Sequence, residues 1–372
     1  MRSLISAIMN KFKFYFILFN LTFVLFSCDK SSSDSSIPIR DFAVQYAADI
    51  AIIEDYLTTH YLDYTNEEVT ISKITDPTTQ IKMMLLLNSE TYPKLLVKEV
   101  ALDDIIYKLY YIKLKADNPS DTAIAPSRAD EVLTSYRGSY LFYSSVTEDE
   151  VTTITLNSTL FEYTPNPTLY FSLDRVVRGW TEIMPLFKPG NKVDVEGQPI
   201  SYTDSGAGII FIPSGLGYYN RAQPGVPSYS PLVFTFNLLQ VKFGDQDKDG
   251  ILSNDEDFNT IGDFTDDDID GDGIQNLYDV DDDGDGYFTL TETKRPDIII
   301  NGVKTANGYY PYNGAAIDDP ATLYIDERQG IPRKFTGPID EVTGLRTPLE
   351  SDFTDPTRLR RHIDPTSFPP YQ

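Results

Sequence analysis

Cysteine is almost absent. The 372 residues include one, Cys28, so no disulfide forms within the chain. Histidine is nearly as scarce, with only His60 and His362. Two imidazoles and one thiol leave little from which to build a nucleophile–base pair. Cations are outnumbered as well: 31 Lys and Arg stand against 56 Asp and Glu, for a formal charge of −25. Phosphate backbones need clustered Lys and Arg, so nucleic acid is excluded as a partner. Tryptophan occurs once, at Trp180. Aromatic residues as a group are plentiful at 13%, and hydrophobic residues make up 41%, enough for real cores. The length allows two or three domains.

The acidity is local. Residues 245–292 hold sixteen Asp and two Glu against Lys248 alone, so the remainder is only mildly acidic. At the other end, Arg2, Lys11 and Lys13 precede an apolar run over 14–26, broken only by Asn20 and Thr22. The run is short for a membrane span and suits a secretory signal. It ends Leu25-Phe26-Ser27-Cys28, which resembles a bacterial lipoprotein box. That resemblance makes 1–28 a signal peptide and Cys28 the acylated first residue of the mature chain. It also implies an extracytoplasmic protein lipid-anchored to a bacterial membrane, the outer one being expected. The Ser- and Asp-rich stretch 29–38 then serves as a flexible tether.

Phe42, Tyr46, Ile50, Ile53 and Leu57 recur at spacings of three and four, which predicts a helix over 41–60. Residues 66–74 read as a strand, and 101–114 as strand or helix. The segment 39–118 is therefore expected to be a small α+β region. Pro and Ser around Pro119 and Pro126 suggest a linker. From Asp130 the pattern is β-rich, with runs at 132–136, 153–156, 169–173, 208–212 and 232–241 punctuated by Gly and Pro. One short helix is expected over 179–187. Val176-Val177-Arg178-Gly179-Trp180 reads as strand, tight glycine, then helix, which turns the indole inward across a sheet. The C-terminal extension 294–372 has weak periodicity. Its Arg358-Leu359-Arg360-Arg361 reads as a solvated basic patch.

Five separated motifs occur in the order of an FKBP-type peptidyl-prolyl isomerase, over roughly 130–242. Ser135-Tyr136-Arg137-Gly138 resembles the family's opening strand with its pocket tyrosine. Thr159-Leu160-Phe161-Glu162-Tyr163 stands where the family has Phe-Asp-Ser. Phe171-Ser172-Leu173 with Val176-Val177-Arg178-Gly179-Trp180 resembles the entry to the helix that carries the pocket-floor tryptophan. Ile212-Pro213-Ser214-Gly215-Leu216-Gly217-Tyr218 resembles the loop with a second tyrosine. Gly225-Val226-Pro227 and Pro231-Leu232-Val233-Phe234 resemble the last loop and strand. The resemblance implies an α+β fold, an antiparallel half-barrel sheet wrapped on a short helix, over 125–243. It implies Trp180 as the floor beneath a substrate proline, with Phe161, Tyr136, Phe171, Val177, Val226 and Phe234 around it. Tyr218 would donate to a substrate carbonyl and Glu162 would polarise the rim. No cofactor is needed for such catalysis, and the substrates would be proline-containing segments of unfolded or exported polypeptides. Some exported relatives dimerise through N-terminal helices, which makes 39–118 the place for a homodimer contact. Two departures stand out. Glu162 is a methylene longer than the family's Asp, and 197–208 exceeds the usual turn, as a flap or as an extended hairpin. A catalytically inactive FKBP-shaped scaffold is the alternative function.

The acidic stretch carries three loops of EF-hand spacing. The first uses Asp245, Asp247, Asp249, the Ile251 carbonyl and Glu256. Asp268, Asp270, Asp272, Ile274 and Asp279 repeat it, as do Asp281, Asp283, Asp285, Tyr287 and Glu292. Hard oxygen ligands at this density select calcium. Only Val280 separates the second loop from the third, so no helix fits between them. The string is similar to thrombospondin type 3 repeats, with calcium in a structural role. The expectation is a calcium-stiffened rod over 244–293.

Overall fold

A computed structural model describes residues 39–258, 264, 266–312, 330–342, 344–355 and 357–369. The expected signal peptide, Cys28 and the whole of the expected tether lie outside the described residues. From Asp41 onward the chain forms one unit. Among the described residues no helix is long and apolar enough to cross a membrane.

Helix α1 (Phe42–Thr59) begins where the Asp41 carboxylate accepts the Val44 N–H at 3.0 Å. Its buried positions are Gln45, Asp49, Ile53, Tyr56 and Leu57, one stripe at near-helical spacing. The hairpin β1 (His60–Thr65) and β2 (Glu68–Lys73) follows. Strands β3 (Lys94–Leu102) and β4 (Ile105–Lys113) settle the ambiguity over 101–114 as strand. The long pair β5 (Glu131–Glu148) and β6 (Val151–Thr164) comes next, then the short β7 (Phe171–Ser172). Three hairpins in this part turn on two consecutive positive-φ residues: Asn66-Glu67, Asp103-Asp104 and Asp149-Glu150. Such turns match the twist of the flanking strands, and Asn and Asp tolerate them best.

Helix α2 (Arg178–Ile183), with a 3-10 turn through Leu186, fulfils the short-helix expectation. The hairpin β8 (Asn191–Val193) and β9 (Ser201–Thr203) leads to β10 (Gly206–Ile212) and β11 (Leu232–Lys242). The main sheet runs β3-β4-β10-β11-β5-β6, with β7 on β5, and every pair is antiparallel. It is a curled half-barrel.

The expected division between 39–118 and 125–243 does not hold, because β4 pairs with β10 in this one sheet. The reason lies in β10, where every residue is buried. Ile210 and Ile212 enter the core that contains Trp180, whereas Ile209 and Phe211 enter a second core with Ile53, Leu57 and Ile112. A strand apolar on both faces needs two covers. Helix α2 lies in the first core and α1 in the second, so the N-terminal region is half of the domain.

The acidic stretch is not a rod. Asp130 on the sheet's edge accepts the N–H groups of Ser127 and Gly244 at 2.6 and 2.8 Å. Gln246 donates to the Ala129 carbonyl at 2.9 Å, and Tyr278 donates to Asp174 at 2.7 Å. Phe264 and Leu277 bury against Ala129. The loops thus fold back on the sheet domain, and they also support the C-terminal extension. Helices α3 (Thr289–Glu292) and α4 (Glu350–Thr354) and the hairpin β12 (Ile298–Ile300) and β13 (Val303–Thr305) belong to that part. Ile251 from the first loop shares a small core with Tyr310, Ile331 and Phe353. The basic run at 358–361 is not a solvated patch either. Arg361 is 2% exposed and lies over the Phe335 ring at 4.9 Å, and Arg360 lies over Tyr312 at 4.0 Å. Aromatic faces take guanidinium planes, which brings these cations inward.

A buried charge ties α2 to the rest. Glu182 meets Lys98 of β3 at 2.8 Å, Arg128 at 2.7 Å and Arg178 at 2.7 Å. Burial pushes the Glu182 carboxyl up, but the three cations outweigh it and hold the pKa below the ordinary glutamate value. Its contribution to stability is therefore complete above about pH 4.3 and is lost as pH falls through the lower folded value. Replacing Glu182→Gln leaves three cations sharing no charge. The cations keep 20–35% of their surface, so the cost should be about 2 kcal/mol rather than the full penalty of a buried pair. Denaturant melts at pH 7 and pH 3.5 check this: the variant should be weaker at pH 7, and the gap should narrow at pH 3.5.

Candidate functional site

The expected strand at Val176-Val177 is not formed: Val176 lies in a bend, and Val177 is extended as the residue before the first turn of α2. The turn then brings Gly179 against Ile212 of β10. A Cβ on Gly179 would stand 2.7 Å from the Ile212 side chain, so only glycine allows α2 this close to the sheet. That approach seats Trp180, 4% exposed, over the concave face. The indole meets Phe234 edge-on at 5.2 Å and Tyr136 and Phe171 at 5.5 Å, and is tilted on Phe236 at 5.7 Å. Edge-to-face contacts of this length are favourable and fix the ring plane.

The rim depends on an irregularity in β6. Gly138 pairs with Glu162 and Ser139 with Leu160, leaving Phe161 as an extra residue. A bulge of this kind re-aims side chains. Here it lets Phe161 pack on Phe234 at 5.7 Å while the next residue, Glu162, accepts a hydrogen bond from the Tyr136 hydroxyl at 2.6 Å. Gly138 leaves the room. A Cβ there would meet Phe234 at 2.6 Å and Phe161 at 2.7 Å. Glu162 is exposed, so its extra methylene displaces nothing in the core. Burial, with the bond to Glu162, pushes the Tyr136 hydroxyl up to about 12.

These residues enclose a cavity of about 710 Å³. Trp180, Tyr136, Phe171, Val177 and Phe234 line it, with Glu162 and Tyr218 as polar groups. The Tyr218 hydroxyl, whose pKa burial raises, has no hydrogen-bond partner among the described residues. Seven of the nine expected pocket residues are therefore together. The other two are not on the wall: Phe161 backs Phe234, and Val226 is 3% exposed within the core. Residues 197–208 do not line the cavity. They belong to the β8–β9 hairpin and the start of β10, so the long turn is a hairpin and not a flap.

The N-terminal helix was missed as part of this site. Phe42 lines the cavity and stacks on Tyr219 at 4.3 Å. Asp49, fully buried, accepts the Ser214 N–H at 2.7 Å and the Ser214 hydroxyl at 2.6 Å. Gln45 donates to Asp49 at 2.6 Å and to the Tyr229 carbonyl at 3.3 Å. Helix α1 thus holds both ends of the loop that presents Tyr218. Polar residues at two buried helix positions, Gln45 and Asp49, were the available signal.

The acidic loops repeat one geometry. In each, Gly250, Gly273 or Gly286 has φ between 91° and 97°. That glycine's N–H donates to the first Asp of the loop, at 3.3, 3.0 and 3.0 Å. The remaining oxygens converge. Asp268, Asp270 and Asp272 form one group, and Asp281, Asp283 and Asp285 another, each with ligand atoms within 4.8 Å of one another. Asp247, Asp249 and Glu256 form the third, joined by Asp282. The structure puts Asp245 outside that group, where it caps backbone N–H groups. Asp279 is likewise outside the second group and accepts the Asp281 N–H. Ile251, Ile274 and Tyr287 follow the glycines as expected, and their N–H groups bond Asp249, Asp272 and Asp285. Glu292 is fully buried, its pKa pushed up to about 9 by burial and then by Asp283 and Asp285 beside it. Asp282 lies between the regularly spaced Asp281 and Asp283, and the spacing rule passed over it.

Glu256 is 1% exposed, and neither carboxylate oxygen has a hydrogen-bond partner among the described residues. Burial, then Asp249 and Asp282, pushes it up to about 10. A buried carboxylate without donors is costly unless protonated or coordinated. Hard oxygens from four acids suit a divalent cation such as calcium.

Comparison with known proteins finds two separate likenesses. The FKBP-type peptidyl-prolyl cis-trans isomerase FkpA of Escherichia coli K12 is 30% identical over 118 residues, 32% of this chain and 33% of FkpA. The same protein of strain O157:H7 matches equally. The chain thus spans about a third of the length of the curated relatives it matches. Among solved structures, a peptidyl-prolyl isomerase from Pseudomonas syringae pv. tomato DC3000 aligns over 55% of this chain and 98% of its own, at 16% identity and a TM-score of 0.29. E. coli FkpA aligns over 43% and 55%, at 25% identity and 0.26. A family described as BamM C-terminal matches residues 246–324, which takes in the acidic loops and the start of the extension. Part of the chain is therefore homologous, at low identity, to FKBP-type isomerases, and the curled antiparallel half-barrel is consistent with an FKBP-like fold.

The clamp from α1 is open to test. Asp49→Ala strands the Ser214 N–H and hydroxyl in a buried place. The variant should lose about 2–4 kcal/mol of stability by denaturant unfolding, and an unchanged midpoint would show that the clamp is idle.

Proposed function

We propose that this chain is a peptidyl-prolyl cis-trans isomerase held outside the cytoplasm by an acylated Cys28, acting on proline-containing segments of other exported polypeptides. The observation that carries the reading is the Trp180 cavity: an aromatic floor and walls at 5.2–5.5 Å, with one hydroxyl, Tyr218, left without a partner among the described residues. Homology of 118 residues of the chain to an FKBP-type isomerase supports it.

The chemistry needs no nucleophile. Resonance keeps the prolyl amide planar behind a barrier of about 18–20 kcal/mol. The planar amide is also the more dipolar form, so an apolar, water-poor cavity disfavours it relative to the twisted one. Trp180 supports the pyrrolidine ring, and Phe171, Val177 and Phe234 exclude water. Tyr218 donates to a substrate carbonyl. Tyr136, whose hydroxyl is bound to Glu162, keeps the carboxylate at the rim rather than over the indole.

Catalysis is read in a protease-coupled proline peptide assay on the full chain. Acceleration should appear, and Trp180→Ala should remove most of it, by at least about tenfold, since the floor acts only when the amide is seated. A folded protein that binds such peptides without accelerating them would be a scaffold instead.

Calcium in the acidic loops is part of the same proposal, in a structural role. Bound there, it would neutralise carboxylates whose repulsion otherwise opposes folding. Asp247, Asp249, Glu256 and Asp282 would hold one ion, and the other two triads one each. Calcium at about a hundredfold above its dissociation constant would add about 2.7 kcal/mol per site. Melting the full chain in millimolar calcium and in chelator measures this: calcium should raise the midpoint, and identical midpoints would remove calcium from the account.

A further inference from the structure

Charge around the cavity runs opposite to charge in the chain. Acids outnumber Lys and Arg by 56 to 31 overall, yet the cavity is lined by Arg175, Arg178 and Arg221 against a single acid, Glu162. That acid is already engaged by the Tyr136 hydroxyl at 2.6 Å. The three guanidiniums are poorly neutralised. Arg178 meets Glu182 at 2.7 Å, but the same carboxylate also serves Lys98 and Arg128, so that cluster has two cations in excess. Arg175 keeps 73% of its side-chain surface and stands 3.6 Å from Asp174. Asp174 already accepts from Tyr278 at 2.7 Å and from Ser172. Arg221 is exposed, and among the described residues it forms no ion pair. Its backbone N–H closes a turn on the Tyr218 carbonyl at 2.9 Å, which fixes it three residues beyond the cavity's free hydroxyl.

We infer that the cavity selects prolyl segments carrying a carboxylate side chain beside the proline, Asp or Glu, which Arg175, Arg178 and Arg221 receive at the mouth while Trp180 takes the ring. The inference rests on the cavity being the peptide site proposed above. Guanidiniums suit this task because their planar donors pair with carboxylates two at a time. Each exposed pair contributes up to about fivefold in affinity, so two engaged arginines give roughly tenfold or more.

Trp180, as the only tryptophan, reports binding directly by its fluorescence. Three amide-capped peptides, identical except for Glu, Leu or Lys before the proline, are titrated into the full chain at low salt and again at 0.5 M salt. Isomerisation of each is measured in parallel. The Glu peptide should bind about tenfold tighter than the Lys peptide at low salt, and the gap should shrink at high salt. Arg221→Glu and Arg175→Glu should each reduce that ratio, with the Leu peptide as the reference within each variant. A saturable Trp180 signal with equal Glu and Lys affinities overturns the inference. So does a preference that appears only when the peptide's terminal carboxylate is left free, because the ligand would then be the chain end. Charge-selective binding without acceleration supports the inference while removing the isomerase reading.

Discussion

Strand β10 has apolar side chains on both faces, and no arrangement of the sheet satisfies it with one cover. That constraint sets the architecture. Ile210 and Ile212 require α2 and the aromatic core, and Ile209 and Phe211 require α1. Once α1 is committed to the far face, its buried Asp49 and Gln45 reach the loop beyond β10 and place Tyr218 and Tyr219. Once α2 is committed to the near face, Gly179 against Ile212 sets the height of the indole. The cavity is a by-product of covering one strand twice, and its two sides are fixed from opposite faces of the sheet.

Much of this was legible in the sequence. The helix over 41–60, the short helix near Trp180 and the strands from Asp130 onward follow from periodicity and punctuation. Seven pocket residues follow from ordered motifs. What escaped has physical causes. The 39–118 region looked separate because β4 and β10 lie almost a hundred residues apart, and strand pairing leaves no local trace. The continuous run Gly208-Ile209-Ile210-Phe211-Ile212 did carry a hint, since it lacks the alternation of a half-exposed strand. Val226 was placed on the wall by its neighbours in the chain, whereas its side chain points into the core. Asp282 falls outside the one-three-five spacing, which therefore does not point to it. Tertiary geometry used it anyway.

The acidic loops and the extension form the second part of the structure, and their join to the first combines hydrogen bonds with a small apolar cluster of Ala129, Phe264 and Leu277. Asp130 holds the start of the loops, and Tyr278 holds their middle to Asp174. Asp174 sits between Phe171 and Val177, both on the cavity wall. A smaller cavity of about 240 Å³ lies along this join, and Arg178 and Val176 line it as well as the larger one. Val176 and Arg178 thus face the larger cavity on one side and the loops on the other.

The bonds from Asp49 to Ser214 span 165 positions, and the Gln45 contact to Tyr229 spans 184. A chain threaded through a membrane from its N-terminus exposes α1 long before its partners arrive. During that interval its strip of Ile, Tyr and Leu can pack on Met83, Leu95 and Ile112, but Asp49 and Gln45 lack Ser214 and Tyr229. Contacts of such long range slow folding, because the intervening loop must close first. If exported as proposed, the protein would itself be a late-folding passenger of the compartment it serves, its cavity complete only once the chain through β11 had crossed.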